Sequence, residues 1–417
     1  MKAGWLSLTL SDVCTKITDG THHSPKTIFA DPGDGRFLYV TSKNVRNDGL
    51  DLCEVGYISR ADHDPIFSRC NPELGDILLT KDGANTGNVC PNTIEEPFSL
   101  LSSVCLLKPD RSKIEPQYLL YYLQSEIGLS QIVGQMTGAA IKRIILKTIK
   151  AASIQLPPLE EQRRIVGVLD EAFAAIATAT ANAEKNLANA RELFQGFLET
   201  TFAKLADEAP VQKIAEIAEI KGGKRVPKGY KLLSEPTPYA YLTVGDFTDD
   251  GTIDPSGVRF VSAEIHQQIR RYIVREADLY VSIAGTIGRT GIVPPKFDGA
   301  QLTENACRLV FKQGMSNRFV YYFTKSPSFA VQAIEQTRTA AQPKLALSRL
   351  EKITLPVPKL DRQLELVSKF NTIENETASL AEVCLQKRAA FAALRQALLH
   401  RAFSGELTAA APKLLPA

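Results

Sequence analysis

Two stretches of the chain repeat apolar residues in steps of four and three, with no proline to interrupt them. In the first the positions are Ile165, Leu169, Ala172, Ile176, Ala179, Ala183, Asn186, Ala190, Leu193 and Phe197. In the second they are Leu366, Phe370, Ile373, Thr377, Leu380, Cys384, Lys387, Phe391, Leu394 and Leu398. Alternating steps of this kind predict long helices that meet along a coiled-coil seam. Each stretch follows a proline element, Pro157-Pro158 or Pro356-Val357-Pro358, which blocks a preceding helix and suits the start of a new one. Glu160-Glu161-Gln162 or Asp361-Arg362-Gln363 comes next, and the acidic charge complements the helix dipole. At 1.5 Å per residue each helix spans on the order of 60 Å, which outruns a single domain. One seam is rich in alanine and the other carries larger side chains, so the two suit each other. Asn186 and Lys387 hold equivalent seam positions, where a polar residue sets register. The alternative is two amphipathic helices, each packed on its own domain.

The rest of the chain alternates short β-rich runs with turn-forming residues. Phe37 to Val40, Ile77 to Leu79 and Val104 to Leu107 read as strands, as do Tyr239 to Leu242, Leu279 to Ser282 and Arg308 to Phe311. A tyrosine-bearing helix follows near 116–124 and again near 317–324. These runs recur at an offset of about 200 residues. Gly20 and Pro25 return as Gly222 and Pro227, Tyr39-Val40-Thr41 as Tyr241-Leu242-Thr243, and Gly75-Asp76-Ile77-Leu78 as Ala277-Asp278-Leu279-Tyr280. Tyr121-Tyr122 returns as Tyr321-Tyr322, and Leu156 to Gln162 as Leu355 to Gln363. Ordered self-similarity means a duplicated unit. The expected fold is α+β, with two mixed α/β units in tandem, each followed by a long helix. The helices form an antiparallel coiled coil with pseudo-two-fold symmetry. The divisions fall at 1–155, 156–206, 207–355, 356–407 and a tail, 408–417.

Bulk chemistry narrows the function only slightly. A length of 417 residues with 44% hydrophobic and 23% charged residues describes an ordinary globular protein of two or three domains. The net charge of +3 permits nucleic-acid binding without requiring it. The seven cysteines include no C-x-x-C pair and read as reduced thiols. The N-terminus lacks the apolar core of a signal peptide, and no apolar run approaches the roughly 20 residues of a membrane span, so a cytoplasmic protein is expected.

Informative residues cluster in polar loops. In the first unit these are His22, His23, Lys26, Ser42, Lys43, Asn44, Lys81, Asn85, Asn88, Lys142 and Arg143. In the second they are Lys224, Arg225, Lys228, Thr286, Arg289, Arg338 and Lys344. Lys and Arg neutralise phosphates, while Asn, Arg and Lys also read base edges. Recurrence of these residue types at matching places points to a DNA-binding face. Catalytic signatures are missing. There is no G-x-x-x-x-G-K-[ST] loop, Asn71-Pro72-Glu73 fails as a methyltransferase motif, and no acidic pair precedes a lysine-bearing strand. His22-His23 reads as exposed loop rather than as metal ligands, and no metal site is expected.

The chain resembles the specificity subunits of type I restriction–modification systems. The resemblance covers the whole chain. It rests on the duplicated plan, the Leu-Pro elements at Leu156 to Gln162 and Leu355 to Gln363, Thr18 to His22, and Ala402 to Leu407 closing the second helix. It implies a non-catalytic subunit whose two target recognition domains each read one half of a bipartite site on double-stranded DNA. The helices then measure the spacer and dock two methyltransferase subunits through the seam residues Ile165, Leu169, Ile176, Leu193, Phe197, Leu366, Phe370, Ile373, Leu380, Phe391, Leu394 and Leu398. S-adenosylmethionine, ATP and Mg belong to partner subunits, which methylate adenine N6 and, as restriction/translocase subunits, cleave DNA. The first helix ends Phe202-Ala203-Lys204-Leu205 where the second ends Ser404-Gly405-Glu406-Leu407, so the two ends need not make the same contacts. Two other readings stay open: a two-headed scaffold that joins proteins without reading DNA, and an enzyme with an unfamiliar active site.

Overall fold

The computed structural model describes residues 4–133, 143–335 and 345–408. They gather into two compact units, one made of 1–182 with 386–417 and the other of 183–385.

The first unit opens with the strand Leu6–Thr9, which pairs antiparallel with Ser153–Leu156 and so brings the two ends of the globular part together. An antiparallel four-stranded sheet follows in the order Cys14–Asp19, Val104–Pro109, Ile77–Thr80, Val89–Pro91. Its central strands are continuous apolar runs because both faces are covered. Side chains alternate between the faces of a strand. Ile77, Leu79, Cys105 and Leu107 therefore face a core with the helix Pro116–Gln124, while Leu78, Val104 and Leu106 face a second core with Val40, Val45, Phe98 and Leu100. That second core supports a three-stranded sheet, Gly56–Ser59, Arg36–Val40 and Ser99–Leu100.

The second unit repeats the closing pair and the two larger sheets, while the short pair Val45–Arg46 and Gly49–Leu50 is reduced there to a single bridge between Phe247 and Ile253. Its four-stranded sheet runs Ala218–Gly222, Ala306–Phe311, Leu279–Ser282, Thr290–Ile292, and its smaller sheet Arg259–Phe260, Ala240–Leu242, Gln301–Leu302. Register is kept as well: Leu79 faces Cys105, and Val281 faces Cys307. The turn before the central strand is closed identically, with Asp76 Oδ2 accepting from Glu73 N and Asp278 Oδ2 from Arg275 N, both at 2.8 Å. Two expected matches move by a residue. Tyr121-Tyr122 corresponds to Tyr322-Phe323, since Tyr121 and Tyr322 donate to Asp170 and Asn371, both at 2.5 Å. Gly20 corresponds to Gly223, not Gly222, since these two take the tight approach: an added Cβ would lie 1.9 Å from Leu100 O or 2.0 Å from Thr303 O.

The long helices span Leu159–Glu208 and Leu360–Phe403, 50 and 44 residues. Each is shared between the units, which hold the start of one helix and the end of the other. In unit 1, Ile165 and Leu169 share a core with Leu399, Ala402 and Phe403. Arg164 donates to Thr408 O while Phe173 lies under Arg395, so the segments run antiparallel. In unit 2, Phe194, Leu198, Phe202 and Leu205 meet Leu366, Val367 and Phe370. Phe403 packs on Tyr118 and Tyr122, and Phe202 on Phe319 and Phe323. The two helix ends thus make matching contacts despite their different sequences.

The seam is corrected in phase. Ile165, Leu169, Leu366 and Phe370 are buried, and Ile176, Phe197, Ile373, Phe391 and Leu398 are partly buried, but Leu193, Leu380 and Leu394 are 60%, 46% and 47% exposed. Asn186 and Lys387 are exposed too. Ala183 and Ala190 are buried at their seam positions, as are Thr377 and Cys384 in the second helix, but the first helix also buries Leu187, Phe194, Leu198, Phe202 and Leu205, which the seam does not include. A straight helix drifts by about 20° per heptad against a 3.5-residue repeat. Three heptads move the buried stripe off the extrapolated positions. An 18-residue window of the first helix reaches a mean hydropathy of 1.2, enough by length and composition to cross a bilayer. Alanine supplies that apolarity, and both ends are built into the cores just described.

The proline elements have a further role. Buried Gln162 accepts from Glu115 N at 2.8 Å and donates to Lys113 O and Pro157 O at 3.1 and 2.8 Å. Gln363 accepts from Ser316 N at 2.9 Å and donates to Gly314 O and Pro358 O at 3.2 and 2.9 Å. Each glutamine ties a helix start to the loop before the tyrosine-bearing helix. Gln363→Ala leaves a backbone N–H unpaired and is expected to cost about 1–3 kcal/mol, measured as a drop in the denaturation midpoint; an unchanged midpoint would count against this role.

Candidate nucleic-acid interface

In unit 1 the loops after the strands Cys14–Asp19, Arg36–Val40 and Ile77–Thr80 hold the polar residues singled out by sequence. His22, His23, Lys26 and Lys43 are exposed and Ser42 is half-buried. Two others are corrected. Asn44 is buried: its Oδ1 accepts from Thr41 N at 2.9 Å, and its Nδ2 donates to Asp51 O at 2.9 Å. Asp246 closes the same turn in unit 2, accepting from Thr243 N at 2.7 Å, so the position builds the loop. Lys81 is 3% exposed, with Asp19 at 3.4 Å and Asp82 at 3.2 Å. A buried ammonium needs such counter-charges. Arg69 at 2.7 Å and His22 at 3.3 Å also meet Asp19, and Arg143 meets Asp82 at 3.0 Å. In unit 2 the place of Lys81 is taken by Ile283, which joins an apolar core instead, while Ile144 and Leu345 bond to the two positions alike at 2.9 Å.

Asn85 and Asn88 are spent on the loops as well. They donate to Ser42 O at 3.0 Å and to Val45 O at 3.2 Å. In unit 2, Lys224, Arg225, Lys228 and Thr286 are exposed, with Arg225 paired to Glu304. Arg289 instead braces its loop, donating to Phe247 O at 2.7 Å and meeting Asp249 at 2.6 Å. Lys142, Arg338 and Lys344 lie outside the described residues. Exposed Arg270 and Arg271, beside the Tyr272 ring that Lys224 approaches, escaped sequence reading; paired arginines closing an amphipathic helix were the available signal.

Among the described residues no cluster of three His, Cys, Asp or Glu side chains could hold a metal. Burial pushes the thiols of Cys14, Cys90 and Cys307 up to about 12, which leaves them protonated and unreactive at neutral pH.

A strand plan written twice, with unlike polar loops on a matched frame, defines a tandem recognition protein. The sequence profile of the type I restriction modification DNA specificity domain matches residues 2–187 and again 207–385. The chain belongs to this family and carries its domain twice. It is 24% identical over 405 residues to the EcoBI specificity subunit of Escherichia coli, covering 89% of this chain and 83% of that one. It is also 24% identical to the MjaVIII specificity subunit of Methanocaldococcus jannaschii, over 72% of each. The fold matches a chain from the structure describing complex assembly and conformational transition of the type I R-M system, with a TM-score of 0.74 at 18% identity over 98% of this chain and 99% of that one. The HsdS subunit from Thermoanaerobacter tengcongensis matches with a TM-score of 0.59 at 19% identity over 98% of both chains. Membership in this family implies a specificity subunit with no catalytic activity of its own.

Proposed function

We propose that this chain is the sequence-reading subunit of a type I restriction–modification enzyme, unit 1 reading one half of a bipartite DNA target and unit 2 the other. One observation carries the reading: the same strand order and register recur while the loops at the same strand ends differ. Thr41-Ser42-Lys43 stands in one unit and Thr243-Val244-Gly245 in the other. Shared frames with unlike tips suit two readers of unlike sequences. The long helices set the spacer and dock two methyltransferase subunits. S-adenosylmethionine on those subunits supplies adenine-N6 methylation, and ATP with Mg on restriction/translocase subunits drives cleavage. The chain works in the cytoplasm, on the genome and on invading DNA.

Lys43 is the simplest probe. As a phosphate contact, its replacement by alanine weakens binding evenly across sequences and lowers the slope of log K against log salt by about 1. Titrations of duplex DNA at several salt concentrations, with the full chain in its assembled enzyme, measure this. An unchanged slope removes Lys43 from the interface. A wild-type chain with no sequence preference and no salt dependence would favour the protein scaffold instead.

A further inference from the structure

We propose that Arg395, on the second long helix, is a positioning residue for the reading loops of unit 1, acting through Gln124. The inference rests on the reading of unit 1 as a DNA reader.

The helix Pro116–Gln124 ends in a glutamine whose amide makes three bonds. Its Oε1 accepts from Arg395 Nη2 at 2.6 Å, and its Nε2 donates to Asn47 O at 2.8 Å and Val89 O at 3.2 Å. A guanidinium can only donate and a carbonyl can only accept, so this amide orientation alone satisfies all three. The bond from Arg395 is charge-assisted and therefore the strong end of the chain. The guanidinium is itself held in place, 4.7 Å over the Phe173 ring.

Beyond Gln124 the linkage continues without a gap. Asn47 lies in the turn between Val45–Arg46 and Gly49–Leu50, and its Oδ1 accepts from Val89 N at 2.9 Å. Asn88 donates to Val45 O at 3.2 Å, and Asn85 donates to Ser42 O at 3.0 Å. Asp51 N donates to Asn44 O at 2.8 Å. The segments 41–51 and 81–89 are thus one hydrogen-bonded body that carries Ser42 and Lys43. Gln124 joins that body to Arg395.

Unit 2 does without the relay. The offset that relates Phe202 to Phe403 places Lys325 at the position of Gln124 and Phe194 at that of Arg395. Lys325 pairs with Glu374 at 3.2 Å, and Phe194 packs on the Tyr322 ring at 6.2 Å. The matching turn is held by Tyr321, which donates to Asp250 O at 2.7 Å. The fold therefore does not require a charged strut here, and an effect of Arg395 belongs to one half of the target.

The test is selection from duplex pools randomised in one half-site at a time, using the full chain in its assembled enzyme. Arg395→Ala and Gln124→Met are each expected to reduce discrimination within the first half-site about tenfold and to leave the second half-site unchanged. Arg395→Lys keeps part of the discrimination, because an ammonium still reaches a single acceptor. Phe194→Leu leaves the first half-site as it was. If Arg395→Ala fails to assemble, Arg395→Lys and Gln124→Met carry the test. Even weakening on all targets with unchanged base preference would overturn the proposal, as would equal change in both half-sites. Wild-type protein without base preference in the first half-site would overturn the reading beneath it, whereas wild-type preference untouched by every variant sinks the relay alone.

Discussion

Exchanging residues 1–155 for the matching segment of another specificity subunit replaces one half of the recognised DNA target and leaves the other half and the spacer unchanged. The cut falls where the structure tolerates it. Leu6–Thr9 and Ser153–Leu156 pair with each other, so the exchanged piece brings all of its own closing sheet but Leu156, the last residue of the strand. The interface it must rebuild is the core against Ile165, Leu169, Leu399, Ala402 and Phe403. A mismatched base pair costs about 1–3 kcal/mol, roughly additively. Several changed positions therefore reduce binding to the old half-site by three or more orders of magnitude. Methylome sequencing of cells carrying the hybrid reads the outcome directly. New bases in both halves would contradict the assignment of one reader to each unit.

Phe202→Ala and Phe403→Ala are expected to be the most damaging single substitutions in the long helices. Phe202 is 2% exposed and its ring lies 5.5, 5.3 and 5.6 Å from those of Phe319, Phe323 and Phe370. Phe403 is 3% exposed and sits 5.2 and 5.3 Å from Tyr118 and Tyr122. Emptying such a site costs about 3–5 kcal/mol. For units of this size that lowers the melting temperature by roughly 10 °C. Because the two phenylalanines serve different cores, each variant should loosen its own unit first. Hydrogen exchange then shows lost protection in Val281 and Leu309 for Phe202→Ala, and in Leu79 and Leu107 for Phe403→Ala. Loss spread evenly over both units would mean that the cores are not separately built.

Much of this plan could be read in the sequence, because backbone constraints leave strong marks. The prolines before each helix, the apolar runs of the central strands and the order of repeated motifs all reflect requirements that few residues satisfy. The seam was legible in part: Ala183, Ala190, Thr377 and Cys384 are buried where the spacing placed them, while Leu193, Leu380 and Leu394 are exposed. A one-residue change of phase turns Leu193 outward and Phe194 inward, and apolar spacing alone does not record the partner that decides between them. The loop residues were harder still. Asn44, Lys81, Asn85, Asn88 and Arg289 have the chemistry of DNA contacts, and the structure spends it on bracing the loops. Polar side chains that brace a loop and those that face a ligand share one composition. Only the partners in the fold tell them apart, and for Lys81, Asn85, Asn88 and Arg289 these include residues tens of positions away in sequence.

The division of the helices between the units also bears on how the chain comes off the ribosome. Residues 183–385 form a continuous segment and hold everything that the second unit needs. The first unit lacks Leu399, Ala402 and Phe403 until the whole of 183–385 has been translated. The half of the protein made first is therefore completed last, and Tyr118 and Tyr122 wait with one flank uncovered while the rest is synthesised. A chain truncated after residue 385 and released from the ribosome should present a finished second unit and an open first one, which is the species that chaperones and proteases would meet.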